Sequence, residues 1–330
     1  MKKIIKTILN LFFRIFQNLY ENIFINPLFG SSRGVLHIWK PINYLYTNST
    51  YWKLIQKPME KRGIYLPLPF KKLKDLTEFQ TFHNEHLVLD KFLKKTNDSI
   101  ERVFVDIGAG DGVDMSNTFN LVLQNYNGFC FELDDSKFAK MATIYRDFPS
   151  INLFKTKVTP KNVSNLLKSL ELPEIIKVLN LDIDSYDYFV LEELLNDFKF
   201  QFLILEINPI FPLSVDFAVE FDKKFQWGGN SFQGASISMF YKLLDKNNYS
   251  IIWIDRSFVL ALNNSYINNE IQIIELNQID NVLNRSLEVY NKSFWQKYGE
   301  YRRLKPEEII AKAKNDFKKY KNYHLEKSSF

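Results

Sequence analysis

Five short apolar runs, set apart by about 20 residues each, constrain this chain more than any other feature. They are Val103–Ile107, 128–131, 151–154, 178–181 and 202–205. Each is the length of a strand. Each gap is long enough for a crossover helix with its loops, and parallel strands need such a connection. Near-continuous apolar strands are those of a parallel sheet covered on both faces. Two further runs, 250–254 and 258–262, are separated only by Asp255, Arg256 and Ser257, which is hairpin spacing. The expectation is an α/β, doubly wound, mostly parallel seven-stranded sheet closed by an antiparallel pair, with helical extensions at both ends.

The first run ends in chemistry. Val103-Phe104-Val105-Asp106 leads into Ile107-Gly108-Ala109-Gly110-Asp111-Gly112, and a helix is expected to begin near Asp114. Gly makes up only 11 of 330 residues, so three within five positions mark a place where a Cβ is not tolerated. Turn amides and a helix N-terminus would then face a ligand. A dinucleotide fingerprint wants a third Gly three residues after the second, where this chain has Val113. Asp106 and Asp111 also suit a pyrophosphate poorly, and suit a cofactor bearing an ammonium and a sulfonium well. Glu132 ends the second run, with Leu133 after it. An acid there hydrogen-bonds ribose hydroxyls and lays an adenosine across the first two strands. The cofactor residues expected are therefore Asp106, Gly108, Ala109, Gly110, Asp111, Gly112, Glu132 and Leu133, joined by Asp182.

The strand-Asp-x-Gly-x-Gly-x-Gly turn with its downstream acid resembles the class I S-adenosylmethionine-dependent methyltransferases, over residues 101–264. Later segments resemble the FkbM-like members: Leu181-Asp182-Ile183-Asp184-Ser185-Tyr186-Asp187-Tyr188, Leu205-Glu206-Ile207-Asn208-Pro209 and Gly234-Ala235-Ser236. Ser185 stands where that family usually has Gly, and Asp184 where Glu is common. The resemblance implies a Rossmann-like fold, S-adenosylmethionine as cofactor, and O-methylation of a hydroxyl on a small molecule or glycan. The rival expectation is a non-catalytic binding module that keeps the fold.

Asp182 and Asp184 are the catalytic candidates. They follow the fourth run, at the sheet edge where open α/β sheets bind ligands. Asp182 would bind the methionine ammonium or face the acceptor. Asp184 would orient or deprotonate a hydroxyl, since no His lies in the motifs. The bland alternative is that Asp184 and Asp187 only cap the next helix. With Glu206 and Asn208, these oxygens would also suit a magnesium ion. The 209–232 segment carries Phe211, Phe217, Phe221, Phe225, Trp227 and the pair Gly228-Gly229. It reads as a substrate lid or as a packed long loop.

Four segments divide the chain: an amphipathic helix over 1–25, a loop-rich and helical extension over 26–100, the cofactor-binding domain over 101–276, and a basic helical tail over 277–330. The first helix sets Lys2, Lys3, Lys6 and Arg14 opposite a broad apolar face. It would lie on a membrane surface, on the protein's own core or against a second subunit. Residues 76–93 are helical in pattern, and Lys305-Pro306-Glu307-Glu308 opens a helix. The net charge of +5 comes from residues 285–330, with 12 Lys/Arg against 6 Asp/Glu, which is a solvated face or an attractor of phosphates and anionic lipid. No basic stripe in the domain suggests a nucleic-acid partner. One cysteine, Cys130, sits in an apolar run and is expected as a buried thiol in a reducing, cytoplasmic setting. His83 and His86 have ligand-like spacing but no third ligand nearby, so zinc is not expected. No apolar stretch is long enough to span a membrane, and no cleavage site follows the N-terminal segment.

Overall fold

The computed structural model describes residues 85–96, 99–225, 227–288 and 300–330. The amphipathic helix over 1–25, the 26–75 segment, the start of the 76–93 helix, and His83 lie outside the described residues.

The strands fall on the apolar runs: β1 Val103–Ile107, β2 Asn127–Glu132, β3 Ile151–Lys155, β4 Ile175–Leu181 and β5 Lys199–Glu206. The helices between them are α2 Phe119–Leu123, α3 Asp135–Tyr145, α4 Val163–Lys168 and α5 Asp187–Asp197, preceded by α1 Glu85–Thr96. After β5 come β6 Val215–Val219, α6 Ile237–Lys246, β7 Tyr249–Asp255, β8 Phe258–Asn263, α7 Leu276–Glu288, α8 Pro306–Asp316 and β9 Tyr323–Lys327. Among the described residues, seven strands form one sheet in the order β3-β2-β1-β4-β5-β8-β7. The first five are mutually parallel, and β8 is antiparallel to both β5 and β7. This is the doubly wound, mostly parallel seven-stranded sheet expected from the run spacing.

Burial explains the runs. Every residue of β1 is buried, as is nearly all of β4 and β5. A central strand has no solvent face and therefore no polar alternation. Edge strand β7 alternates buried with half-buried positions. Cys130 is fully buried and free.

Two expectations are corrected. The first helix after the Gly-rich turn starts at Phe119, not near Asp114. Ser116 Oγ accepts from the amides of Thr118 and Phe119, and so ends the turn later. No helix N-terminus sits directly at the turn. The second correction concerns 209–232 and the tail. Neither run was expected to hold a strand, yet β6 and β9 pair antiparallel in a separate two-stranded sheet. Phe211, Phe217 and Phe232 pack there with Tyr301, Ile309, Ala313 and Phe317 in a second core. Of the aromatics in the 209–232 segment, Phe211 and Phe217 are core residues, whereas Phe225 and Trp227 stand at the cleft described below, and the tail is not helical throughout. Its helix does begin at Pro306, where Glu308 accepts from the Lys305 amide at 2.8 Å.

Candidate functional site

A cleft of about 440 Å³ opens at the carboxyl ends of β1, β2 and β4. Its walls include Gly108, Glu132, Leu133, Asp182, Asp184 and Trp227. The strand order reverses around β1, so this is the switch point where open sheets hold ligands.

The three glycines of the turn have three different reasons. All have positive φ: 91° at Gly108, 60° at Gly110 and 81° at Gly112. A Cβ on Gly108 would stand 1.7 Å from the Asp182 carbonyl oxygen, so this glycine lets β1 and β4 close together. A Cβ on Gly112 would strike the Tyr145 ring at 2.8 Å. A Cβ on Gly110 would meet nothing within 4 Å. Only Gly110 borders open space, and its amide donates to Glu132 Oε2 at 2.8 Å. Glu132 Oε1 accepts from the Asp134 amide at 2.6 Å. The two turns that flank the cleft are thus tied through one carboxylate, whose remaining lone pairs are free for a ligand. Leu133 is 52% exposed beside it, an apolar surface at the cleft wall.

The two acids of the turn are engaged elsewhere. Asp106 is buried and accepts from Thr118 Oγ1 at 2.5 Å and from Asn180 Nδ2 at 2.8 Å. Asn117 Nδ2 donates in turn to Asn180 Oδ1 at 2.9 Å. Asp106 therefore braces β1, β4 and the post-turn segment. Burial pushes its carboxyl up to about 6, and the Glu132 charge adds to the effect. Asp111 Oδ1 accepts from the amides of Val113 and Asp114 at 3.0 and 2.8 Å. Neither acid, nor Ala109, Gly110 or Gly112, is among the lining residues of the cleft. Sequence reading had no view of Thr118 and Asn180, because a brace between distant segments has no local pattern.

Beyond β4 the acids divide into two kinds. Asp187 is buried, and its oxygens accept from the amides of Ile183 and Ser185 at 2.8 and 2.9 Å. Its role is to fasten the 182–187 turn. The left-handed residue there is Asp184 (φ 54°), and Ser185 after it needs no positive φ. Asn208 is likewise occupied. Its amide donates to the Ser231 and Gln233 carbonyls, and its Oδ1 accepts from Ile210. Asp182, Asp184 and Glu206 are different: they offer carboxylate oxygens that all lie within 4.8 Å of one another. Burial drives Asp182 and Glu206 well above the usual carboxylate range, and the neighbouring acids push the same way. Asp184 is raised to about 6 by burial and by the Asp187 charge, against the pull of Lys137. Glu206 was legible in the sequence as an acid closing an apolar run; Gln233, whose amide donates to Glu206 Oε1 at 3.2 Å, was not.

No family model matches the sequence, and no curated protein matches it. Solved structures with a similar arrangement of strands and helices include methyltransferases. One is the N-terminal domain of EvdMO1, crystallised in the presence of SAH and D-fucose, at 10% identity over 56% of this chain and 84% of that one, with a TM-score of 0.38. Another is a candidate O-methyltransferase from Klebsiella pneumoniae, at 10% identity over 64% of this chain and 96% of that one, TM-score 0.40. A third is the CurJ carbon methyltransferase, at 10% identity over 58% of each chain, TM-score 0.36. At such identities no residue role passes from these proteins to this one. No helix among the described residues is long and apolar enough to cross a membrane.

Proposed function

We propose that this chain is an S-adenosylmethionine-dependent methyltransferase of the FkbM-like kind, acting on a hydroxyl of a small molecule or glycan. The observation that carries the reading is Gly110: a left-handed glycine facing open space, with its amide on Glu132 at the edge of the cleft. Gly108 lines the cleft, and Gly110, two residues on, leaves open space where a Cβ would stand. Adenosine would lie over the ends of β1 and β2, its ribose hydroxyls donating to Glu132 and its base on Leu133. Its ammonium and sulfonium would be drawn towards Asp182 and Asp184. Bound there, the cofactor would supply a methyl group activated for in-line attack by the acceptor oxygen. Asp182 and Asp184 would stand where the proton leaving the acceptor hydroxyl could be taken up. Holding the two reactants in line supplies much of the rate. A carboxyl raised to about 6, as at Asp184, is well matched to accept a proton near neutral pH.

Calorimetry with S-adenosylhomocysteine tests this. The full chain should bind it, and Gly110→Val should not, while far-ultraviolet circular dichroism stays that of a folded protein. A wild-type chain that shows no heat of binding ends the reading.

A further inference from the structure

Among the described residues, two large apolar side chains stand exposed on the cleft wall, Leu133 and Trp227, the second at 41%. The indole of Trp227 is held in place. Its Nε1 donates to the Asn230 carbonyl at 2.7 Å. Asn230 is fixed in turn: its Nδ2 donates to the Tyr320 hydroxyl at 2.8 Å, and its Oδ1 accepts from the Phe232 amide at 2.9 Å. Phe232 and Tyr320 are stacked in the second core. Upstream, Phe221 packs edge-on against Tyr186 with centroids 5.0 Å apart, and Lys157 Nζ donates to the Lys223 carbonyl at 3.1 Å. The chain is therefore fastened on both sides of Trp227. Gly228 and Gly229, the latter at φ 70°, make the tight return that brings the Asn230 carbonyl to the indole. The one polar atom of the indole is used within the loop, so what Trp227 offers the cleft is an apolar ring face. A ligand ring laid on that face would remove it from water.

The rest of the wall decides which ring fits. The base of the cofactor is placed on Leu133, and Phe221 sets the Trp227 segment against the turn after β4. Asp182, Asp184, Ser185 and Lys137 line the same cleft. A flat aromatic acceptor would meet a charged rim there without groups to bond it. A sugar ring has one face of C–H groups for the indole and a rim of hydroxyls that donate to carboxylates and accept from an ammonium. We propose that Trp227 selects the acceptor by stacking on the C–H face of a sugar ring whose hydroxyls reach Asp182 and Asp184. The proposal rests on the methyltransferase reading and narrows its acceptor to a sugar. It also gives the second core a part in recognition, since Tyr320 and Phe232 hold the residue that aims the indole.

The test uses the full chain saturated with S-adenosylhomocysteine and a panel of methyl hexopyranosides, read by saturation-transfer difference NMR. At least one glycoside should receive saturation, strongest on the ring protons of a single face. Trp227→Ala should weaken that binding roughly tenfold or more, the scale of losing an aromatic anchor. Trp227→Phe keeps a ring face and should retain part of it, a rescue that a merely structural role would not produce. Calorimetry on the same samples should give one S-adenosylhomocysteine affinity for all three chains. A wild-type chain that binds S-adenosylhomocysteine but passes no saturation to any glycoside overturns the proposal and leaves the cofactor reading standing. Saturation that persists unchanged in Trp227→Ala also overturns it. So does a loss of S-adenosylhomocysteine affinity in that variant, which assigns the indole to the cofactor's base. A wild-type chain that binds no S-adenosylhomocysteine overturns both readings.

Discussion

Glu132 and Asp106 end adjacent strands as buried acids, yet they stand in opposite situations. Glu132 keeps lone pairs at the cleft wall; Asp106 is enclosed by Thr118 and Asn180. Replacing Glu132 with Gln retains one acceptor oxygen and removes the charge. S-adenosylhomocysteine affinity should fall by about 1.5–3 kcal/mol, the range for hydrogen bonds to a charged group. An unchanged dissociation constant in calorimetry would detach Glu132 from the ribose. Asp106 should instead govern stability. Its folded value of about 6 lies above the ordinary 3.8, so the native state holds the proton more tightly than the unfolded chain. The resulting stabilisation is full below pH 4 and disappears as pH rises through about 6, a swing of about 3 kcal/mol. Urea unfolding across pH 4 to 7 should therefore be less pH-dependent in Asp106→Asn than in the wild type. Equal slopes would mean that the brace carries no titrating charge.

The elements that surprised are β6 and β9. Antiparallel pairing joins residues about a hundred positions apart, Val215 to Lys327 and Val219 to Tyr323. β6 meets its nearest sequence neighbour only through the single bridge of Ala218 to Ala235, so no hairpin signal marks either strand. Five residues of alternating character such as Tyr323–Lys327 also read equally well as a helix end. What holds them is the aromatic cluster beneath. Phe232 stacks on Tyr320 with centroids 3.8 Å apart, and Phe317 meets Phe211, Phe217 and Phe232 edge-on or tilted. Phe317→Ala should cost about 3–5 kcal/mol, the usual range for a buried phenylalanine. Chemical denaturation measures this, and a loss below about 1 kcal/mol would show that the cluster contributes little to the fold.

At the scale of the whole molecule, the described residues from Glu85 to Phe330 belong to one compact unit. The basic tail is thus part of the fold. Arg302 reaches back to the carbonyls of Pro209 and Phe211 and pairs with Asp280. Lys242 pairs with the buried Asp216 of β6 and lies over the Phe330 ring. A chain ending at residue 299 should lose β9 and α8, uncover Phe211, Phe217 and Phe232, and unfold at a lower temperature in calorimetric scans. An unaltered transition would restore the tail to the status of an independent appendage. Excess charge in this segment is compatible with both roles, since its cations are mostly exposed while its apolar residues are not.

The sequence by itself determined the main sheet. Apolar runs at crossover spacing leave a parallel arrangement as the way to bury them, and the short Asp255-Arg256-Ser257 link leaves only a hairpin. It also located the Gly-rich turn and the acids at strand ends, because a strand end and a tight turn are local in the chain. The tertiary structure alone decided what each of those residues faces. Gly108 and Gly112 look alike in the sequence, and so do Asp182 and Asp187. One glycine admits a neighbouring strand and the other a tyrosine ring. One acid borders the cleft and the other fastens a turn. Their partners come from segments 30 to 75 residues away or from the turn's own geometry, and direction in space is not written in residue order.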